Sequence, residues 1–198
     1  MNDRIEIGAA VPRRRRPLLR ALGRAVLRAG GWTLDVHVPD EPKLVVIAAP
    51  HTSNWDFVYG LAAILALDLE LHWFAKHTLF RGPWGRIFRA LGGIAIDRSA
   101  AGGVVRQTAQ TFADSERLLI GLAPEGTRAH VAQWKRGFYH LAASAQVPVL
   151  AAYLDYRRKV VGTGPLFRPS GDWDADMAPV FAFYRGITAK KPENVGLG

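Results

Sequence analysis

The chain has 198 residues and a mass of 21.7 kDa, 49% hydrophobic and 22% charged, which suits one globular domain and excludes a disordered or collagen-like polymer. It has no cysteine, so disulfide frameworks, thiolate metal sites and cysteine nucleophiles are excluded. The net charge of +9 is concentrated at one end: residues 1–30 hold eight arginines against two acids, a basic leader on a near-neutral body rather than a uniformly basic nucleic-acid binder.

The leader predicts a helix. Pro17 suits a first helical turn, and Gly30-Gly31 suits the exit. Between them Arg16, Arg20, Arg24 and Arg28 trace one stripe, while Leu18, Leu22, Ala25, Val26 and Ala29 trace another. At about 100° per residue the stripes lie about 160° apart. Such a helix fits the interface of an anionic bilayer, and it equally fits a dock on the core with a solvated basic side. No apolar run reaches the roughly 18 residues of a membrane span. The N-terminus also lacks a secretory signal pattern. The expected location is cytoplasmic, peripheral on the inner face of the membrane, with no nucleic-acid partner.

Strands are expected at 32–38, where apolar and polar residues alternate, and at 44–49 (LVVIAA), a run fit for burial on both faces. Helical patterns follow at 55–66, 83–91, 101–115 and 137–145, interleaved with strand patterns at 70–75, 93–97, 118–123 and 147–153. That alternation predicts a single α/β domain with a mixed, largely parallel sheet flanked by helices. A Gly/Pro-rich loop is expected at 162–171, a last apolar piece at 177–184, and a loose tail at 188–198. The expected division is a basic amphipathic, membrane-associating leader at 1–31, an α/β domain at 32–187, and the tail.

In open α/β sheets, binding groups collect beyond the carboxyl ends of strands. Three such ends are rich in polar residues. After LVVIAA and Pro50 comes His51-Thr52-Ser53-Asn54-Trp55-Asp56, offering a histidine base and an aspartate to orient it. On one regular helix the two side chains would diverge by about 140°, so His51 must precede the helix, with Thr52 or Ser53 as cap. The second end delivers Arg98 after Gly93-Ile94-Ala95-Ile96-Asp97, a side chain suited to forked recognition of phosphate. The third, Pro124-Glu125-Gly126-Thr127-Arg128, combines a tight turn with an acid, a hydroxyl and a fixed positive charge, and Lys135 lies just downstream. His72, His77, His130 and His140 lack metal spacing, so no metal is expected.

Together these segments resemble the glycerolipid acyltransferase family, which includes bacterial 1-acylglycerol-3-phosphate acyltransferases. The resemblance rests on His51 and Asp56 with four residues between them, Gly93 to Arg98, Pro124 to Arg128, and Val147-Pro148-Val149, all in the family's order. It implies an O-acyltransferase in which His51 deprotonates the acceptor hydroxyl, Asp56 orients His51, and the acyl group passes directly from a thioester. The implied acceptor is a lysophospholipid, foremost 1-acylglycerol-3-phosphate. The donor would be acyl-CoA or acyl carrier protein as co-substrate, with no cofactor. Arg98, Glu125, Gly126, Thr127 and Arg128 would hold the acceptor's glycerol phosphate, with Lys135 as a further phosphate contact. Pro50 departs from the asparagine that many members carry, which leaves room for other acceptors such as amino-acid-containing lipids. The competing classes are a thioesterase-like hydrolase and a non-enzymatic anionic-lipid-binding protein.

Overall fold

A computed structural model describes residues 3–96 and 101–196. In chain order the elements are β1 (Arg4–Ile7), α1 (Pro17–Ala29), β2 (Thr33–Val38), β3 (Lys43–Ala48), α2 (Asn54–Ala66), β4 (Leu71–Lys76), a 3-10 turn (His77–Phe80), α3 (Gly82–Ala90), β5 (Gly93–Ile96), α4 (Ala101–Asp114), β6 (Leu118–Leu122), α5 (Gly137–Ala145), β7 (Val149–Asp155), β8 (Val160–Phe167) and α6 (Trp173–Tyr184), followed by a short 3-10 turn at Pro192–Asn194.

The strands form one eight-stranded sheet in the order β1-β2-β8-β7-β3-β6-β4-β5. Among the described residues every pair is parallel except β7 with β8. The LVVIAA run supplies β3 and the residue after it, near the middle of the sheet. Leu44 and Val46 turn to one face and Val45 and Ile47 to the other, so the strand is apolar on both sides. On the first face Leu27 of α1 and Ala62, Ala63 and Ala66 of α2 close the core. On the second, Phe112 of α4, Phe138, Leu141 and Ala142 of α5, and Met177, Val180 and Tyr184 of α6 do so. The result is a three-layer α/β/α domain.

The leader does more than form a helix. Its first residues add β1 to the sheet, with Arg4 to Ile7 paired in parallel to Asp35 to Val38. Helix α1 docks on α2 through a sector between the two expected stripes, where Gly23 and Leu27 are buried. The approach is close: a Cβ on Gly23 would lie 2.5 Å from the Ala62 carbonyl oxygen. Leu18 and Leu22 stay outside, 84% and 55% exposed.

Two expectations require correction. The Gly/Pro-rich stretch from 162 is strand for most of its length, since β8 runs to Phe167. Its glycines serve contact rather than looseness: a side chain on Gly162 would strike the Tyr153 hydroxyl and Asp35 carbonyl, and one on Gly164 the Phe183 ring. Pro165 falls beyond the residues that β8 pairs with β2, where a missing N–H costs least. The segment from 188 to 196 is likewise fastened. Tyr156 N–H donates to the Thr188 carbonyl at 2.8 Å, Lys191 N–H to Thr52 Oγ1 at 3.1 Å, and Trp134 Nε1–H to the Gly196 carbonyl at 2.7 Å. No helix among the described residues is long and apolar enough to cross a membrane.

Candidate active site

Neighbouring strands β3 and β6 send their connections to opposite faces of the sheet, β3 into α2 and β6 into α5. Outside their carboxyl ends lies the crevice where α/β sheets bind ligands. His51 leaves the first of these ends and Glu125 the second.

The backbone between β3 and α2 sets the geometry. Pro50 is joined to Ala49 by a cis bond. Ser53 caps α2: its hydroxyl accepts from Trp55 N–H at 3.2 Å, and the Asp56 carboxylate reaches back to Ser53 N–H in a capping box. His51 therefore sits ahead of the helix and Asp56 in its first turn, the arrangement that the helical angle demands. The imidazole Nδ1 lies 3.6 Å from Asp56 Oδ2, with the His51 side chain 24% exposed and that of Asp56 3%. Asp56 Oδ2 also accepts the Thr52 and Ser53 N–H groups, both at 2.7 Å. A buried carboxylate held this way has a fixed direction, and the ring beside it is partly exposed.

Glu125 is buried, and its carboxylate is committed to the protein's own backbone. His51 N–H donates to Oε1 at 3.0 Å and Oε2 at 2.8 Å. Burial is the main influence on this acid and the nearby Asp56 charge adds to it; the His51 N–H opposes them, and the result is a carboxyl pushed up to about 7. A side chain so engaged holds the β3 loop against the β6 loop, and a buried carboxylate is a poor partner for a phosphate.

The other residues of the turn remain near the surface. Gly126 has φ +68°, a conformation that favours glycine, and a Cβ there would come within 3.2 Å of the Lys135 side chain, which lies over the turn. Lys135 N–H bonds the Pro124 carbonyl at 3.0 Å. Thr127 Oγ1 accepts from Ala129 N–H at 3.3 Å. Arg128 is exposed and donates to Asn54 Oδ1, tying the second loop to the first turn of α2. Arg98 lies outside the described residues. The structure thus joins His51 to both Asp56 and Glu125, and places Gly126, Thr127 and Arg128 on the turn that Lys135 lies over. Among the described residues no group of three or more His, Asp or Glu is gathered to hold a metal.

Two participants escape the sequence. Asn54 stands inside the quoted motif, yet nothing in its neighbours announces Arg128. Tyr156 follows β7, a hundred residues from its partner, and its hydroxyl donates to Asp56 Oδ1 at 2.6 Å. Burial and the Asp56 carboxylate push that phenol well above the usual tyrosine range, so it remains a donor.

Fold and site together define an α/β protein with a His–Asp pair at the switch point of its sheet, facing a basic turn. A family model described as Acyltransferase matches residues 34–155, and the chain belongs to that family. The 1-acyl-sn-glycerol-3-phosphate acyltransferase alpha of Mus musculus is 33% identical over 131 residues, 61% of this chain and 44% of that protein. The Homo sapiens protein of the same name is 30% identical over 128 residues, 60% of this chain and 44% of its own. The chain thus spans less than half the length of these curated relatives. A crystal structure of the 1-acyl-sn-glycerophosphate acyltransferase PlsC from Thermotoga maritima shares the fold, with a TM-score of 0.60 over 86% of this chain and 77% of that one at 17% identity.

Proposed function

We propose that the protein transfers a fatty acyl group from a thioester, acyl-CoA or acyl carrier protein, to the free hydroxyl of a lysophospholipid, foremost 1-acylglycerol-3-phosphate, giving phosphatidic acid. The observation that carries this reading is the partly exposed His51 ring set 3.6 Å from a buried, backbone-held Asp56 in a chain of the acyltransferase family. Neutral His51 takes the acceptor's hydroxyl proton on Nε2. The oxygen attacks the thioester carbonyl, the C–S bond breaks, and the thiolate leaves with the proton that His51 carried. Asp56 favours the Nδ1–H tautomer and stabilises the transient imidazolium. Arg128 and Lys135, with the Gly126-Thr127 turn and Arg98, supply the positive surface for the acceptor's phosphate. Glu125 contributes by holding the His51 backbone. The catalytic body is residues 32–187.

The test is product analysis with a labelled acyl donor against a panel of lysolipids. Labelled phosphatidic acid is the expected product. An acylated amino-acid-containing lipid would move the acceptor, and thiol release without acylated lipid would replace the reading by hydrolysis.

We further propose that residues 1–31 bring the protein to an anionic membrane surface from the cytoplasmic side. Arg15, Arg16, Arg20, Arg24 and Arg28 line an open basin of about 530 Å³. Exposed Leu18 and Leu22 occupy another side of the same helix. Trp84 and Ile87 of α3, 65% and 47% exposed, add apolar surface. Such a combination of arginines and exposed apolar side chains suits an interfacial element. Replacing Arg20, Arg24 and Arg28 together by alanine is expected to weaken binding to phosphatidylglycerol vesicles on the order of a hundred-fold, with little binding to neutral vesicles by either protein. Unchanged sedimentation with the anionic vesicles would reject the leader's role.

A further inference from the structure

Asp56 uses its two oxygens differently. Oδ2 faces the His51 ring and takes two backbone N–H groups, while Oδ1 takes the Tyr156 hydroxyl at 2.6 Å. That hydroxyl has little freedom. The Trp32 and Tyr156 rings meet edge to face with centroids 4.9 Å apart, and Lys190 Nζ stands over the Tyr156 ring 5.5 Å from its centroid. The backbone is held as well, since Tyr156 N–H bonds the Thr188 carbonyl at 2.8 Å. Three residues further on, Lys191 N–H bonds Thr52 Oγ1 at 3.1 Å, inside the His51 loop.

We infer that Tyr156 is a positioning residue for the His51–Asp56 pair, and that residues 188–191 strap it to the loop that carries the histidine. The inference rests on the proposed reading of that pair as the acting base and its orienter. A phenol donating to one oxygen fixes the plane of the carboxylate and so the direction of the other oxygen toward Nδ1. It also draws negative charge away from the side facing the ring, which limits how strongly Asp56 favours the imidazolium. Among the described residues, the other titratable and charged groups around the cluster include Glu125 on the His51 amide, Arg128 on Asn54, Tyr59 from α2 and Lys190 from the strap.

Tyr156→Phe keeps the ring packing and removes the donor. It is expected to lower kcat roughly ten-fold, the loss of one hydrogen bond to a charged group, with KM unchanged because the hydroxyl is spent on Asp56. The acid limb of kcat/KM, which reports the free base, is expected to move to higher pH, because a carboxylate relieved of the phenol holds the imidazolium more firmly. An NMR titration of the His51 ring in the resting protein reads the same shift without any reaction. The shift is expected to vanish when Asp56 is already Asn, as coupling through that carboxylate requires. Thr52→Val, which cuts the strap and leaves Tyr156 in place, is expected to lower kcat roughly three-fold and serves if the phenylalanine variant fails to fold. An upward NMR shift supports the inference even if no acyl transfer is found, in which case only the functional reading fails. His51 titrating identically with and without the Tyr156 hydroxyl, or kcat indifferent to both substitutions in folded protein, overturns it.

Discussion

His51→Ala is expected to lower acyl transfer by roughly a thousand-fold, the scale of a lost general base, while leaving the fold intact. The two halves of that expectation come from different features. The ring is 24% exposed and lies at the crevice, outside both core clusters, so its loss removes little packing. The His51 contact that ties the loops together is made by the backbone N–H to Glu125, which alanine retains. Unfolding in urea is therefore expected to change by no more than about 1 kcal/mol, too little to unfold the protein, and the rate loss would belong to the chemistry. Asp56→Ala is a less clean experiment. Asp56 closes the capping box of α2 and accepts both Thr52 N–H and the Tyr156 hydroxyl, so its removal combines lost orientation with a lost cap of about 1 kcal/mol and donors left without their acceptor. Full activity of the folded His51→Ala protein would reject the base assignment.

The parts of this molecule legible in its sequence are those governed by local pattern. The interleaved apolar runs and amphipathic stretches give the α/β class and the places of β3, β6, β7 and the main helices, because burial on a sheet leaves a periodic trace. The Pro17 and Gly30 signals bracket α1, observed at Pro17–Ala29, for the same reason. β1 leaves no such trace: it is a four-residue edge strand with three of its residues exposed, defined by pairing with β2 alone. β8 misleads in the opposite direction, since Gly162 and Gly164 read as freedom where they are the sites of closest approach to Tyr153 and Phe183. The segment after 188 looks loose because backbone, hydroxyl and indole hydrogen bonds and the single buried Ala189, not a periodic apolar face, fasten it.

At the site, the angular requirement on His51 and Asp56 is local arithmetic, and the chain meets it with a helix starting at Asn54. The partners of that pair are not local. A carboxylate aimed at a backbone amide, as Glu125 is, has no counterpart side chain to notice in the sequence. Tyr156 meets Asp56 only because parallel β3 and β7 are neighbours, pairing Val45 with Val149 through Ala48 with Ala152, which brings their carboxyl ends to one edge of the sheet.

Glu125→Gln is expected to change both the stability profile and the reaction, for one reason. In the folded protein the Glu125 carboxyl is raised from 4.5 to about 7, chiefly by burial and further by Asp56, against the opposing His51 N–H. A carboxyl raised on folding stabilises the fold fully below its unfolded value and loses that contribution as pH rises through its folded value. The fold should therefore lose about 3 kcal/mol from this group between pH 4.5 and 8. Glutamine cannot ionise, so urea unfolding of the variant should lack that component, and the two proteins' stabilities should diverge toward high pH in the variant's favour. The amide oxygen can still accept one bond from the His51 N–H, so the loop stays closed but loses its negative partner. A fall in kcat of roughly ten-fold is expected for that weakened hold, with little change in KM, since the side chain is turned from the crevice onto the backbone. A large rise in KM for the lysolipid at constant kcat would instead return Glu125 to the head-group site that the family resemblance implies. Identical pH dependence of unfolding in the two proteins would show that the buried acid carries no such ionisation cost.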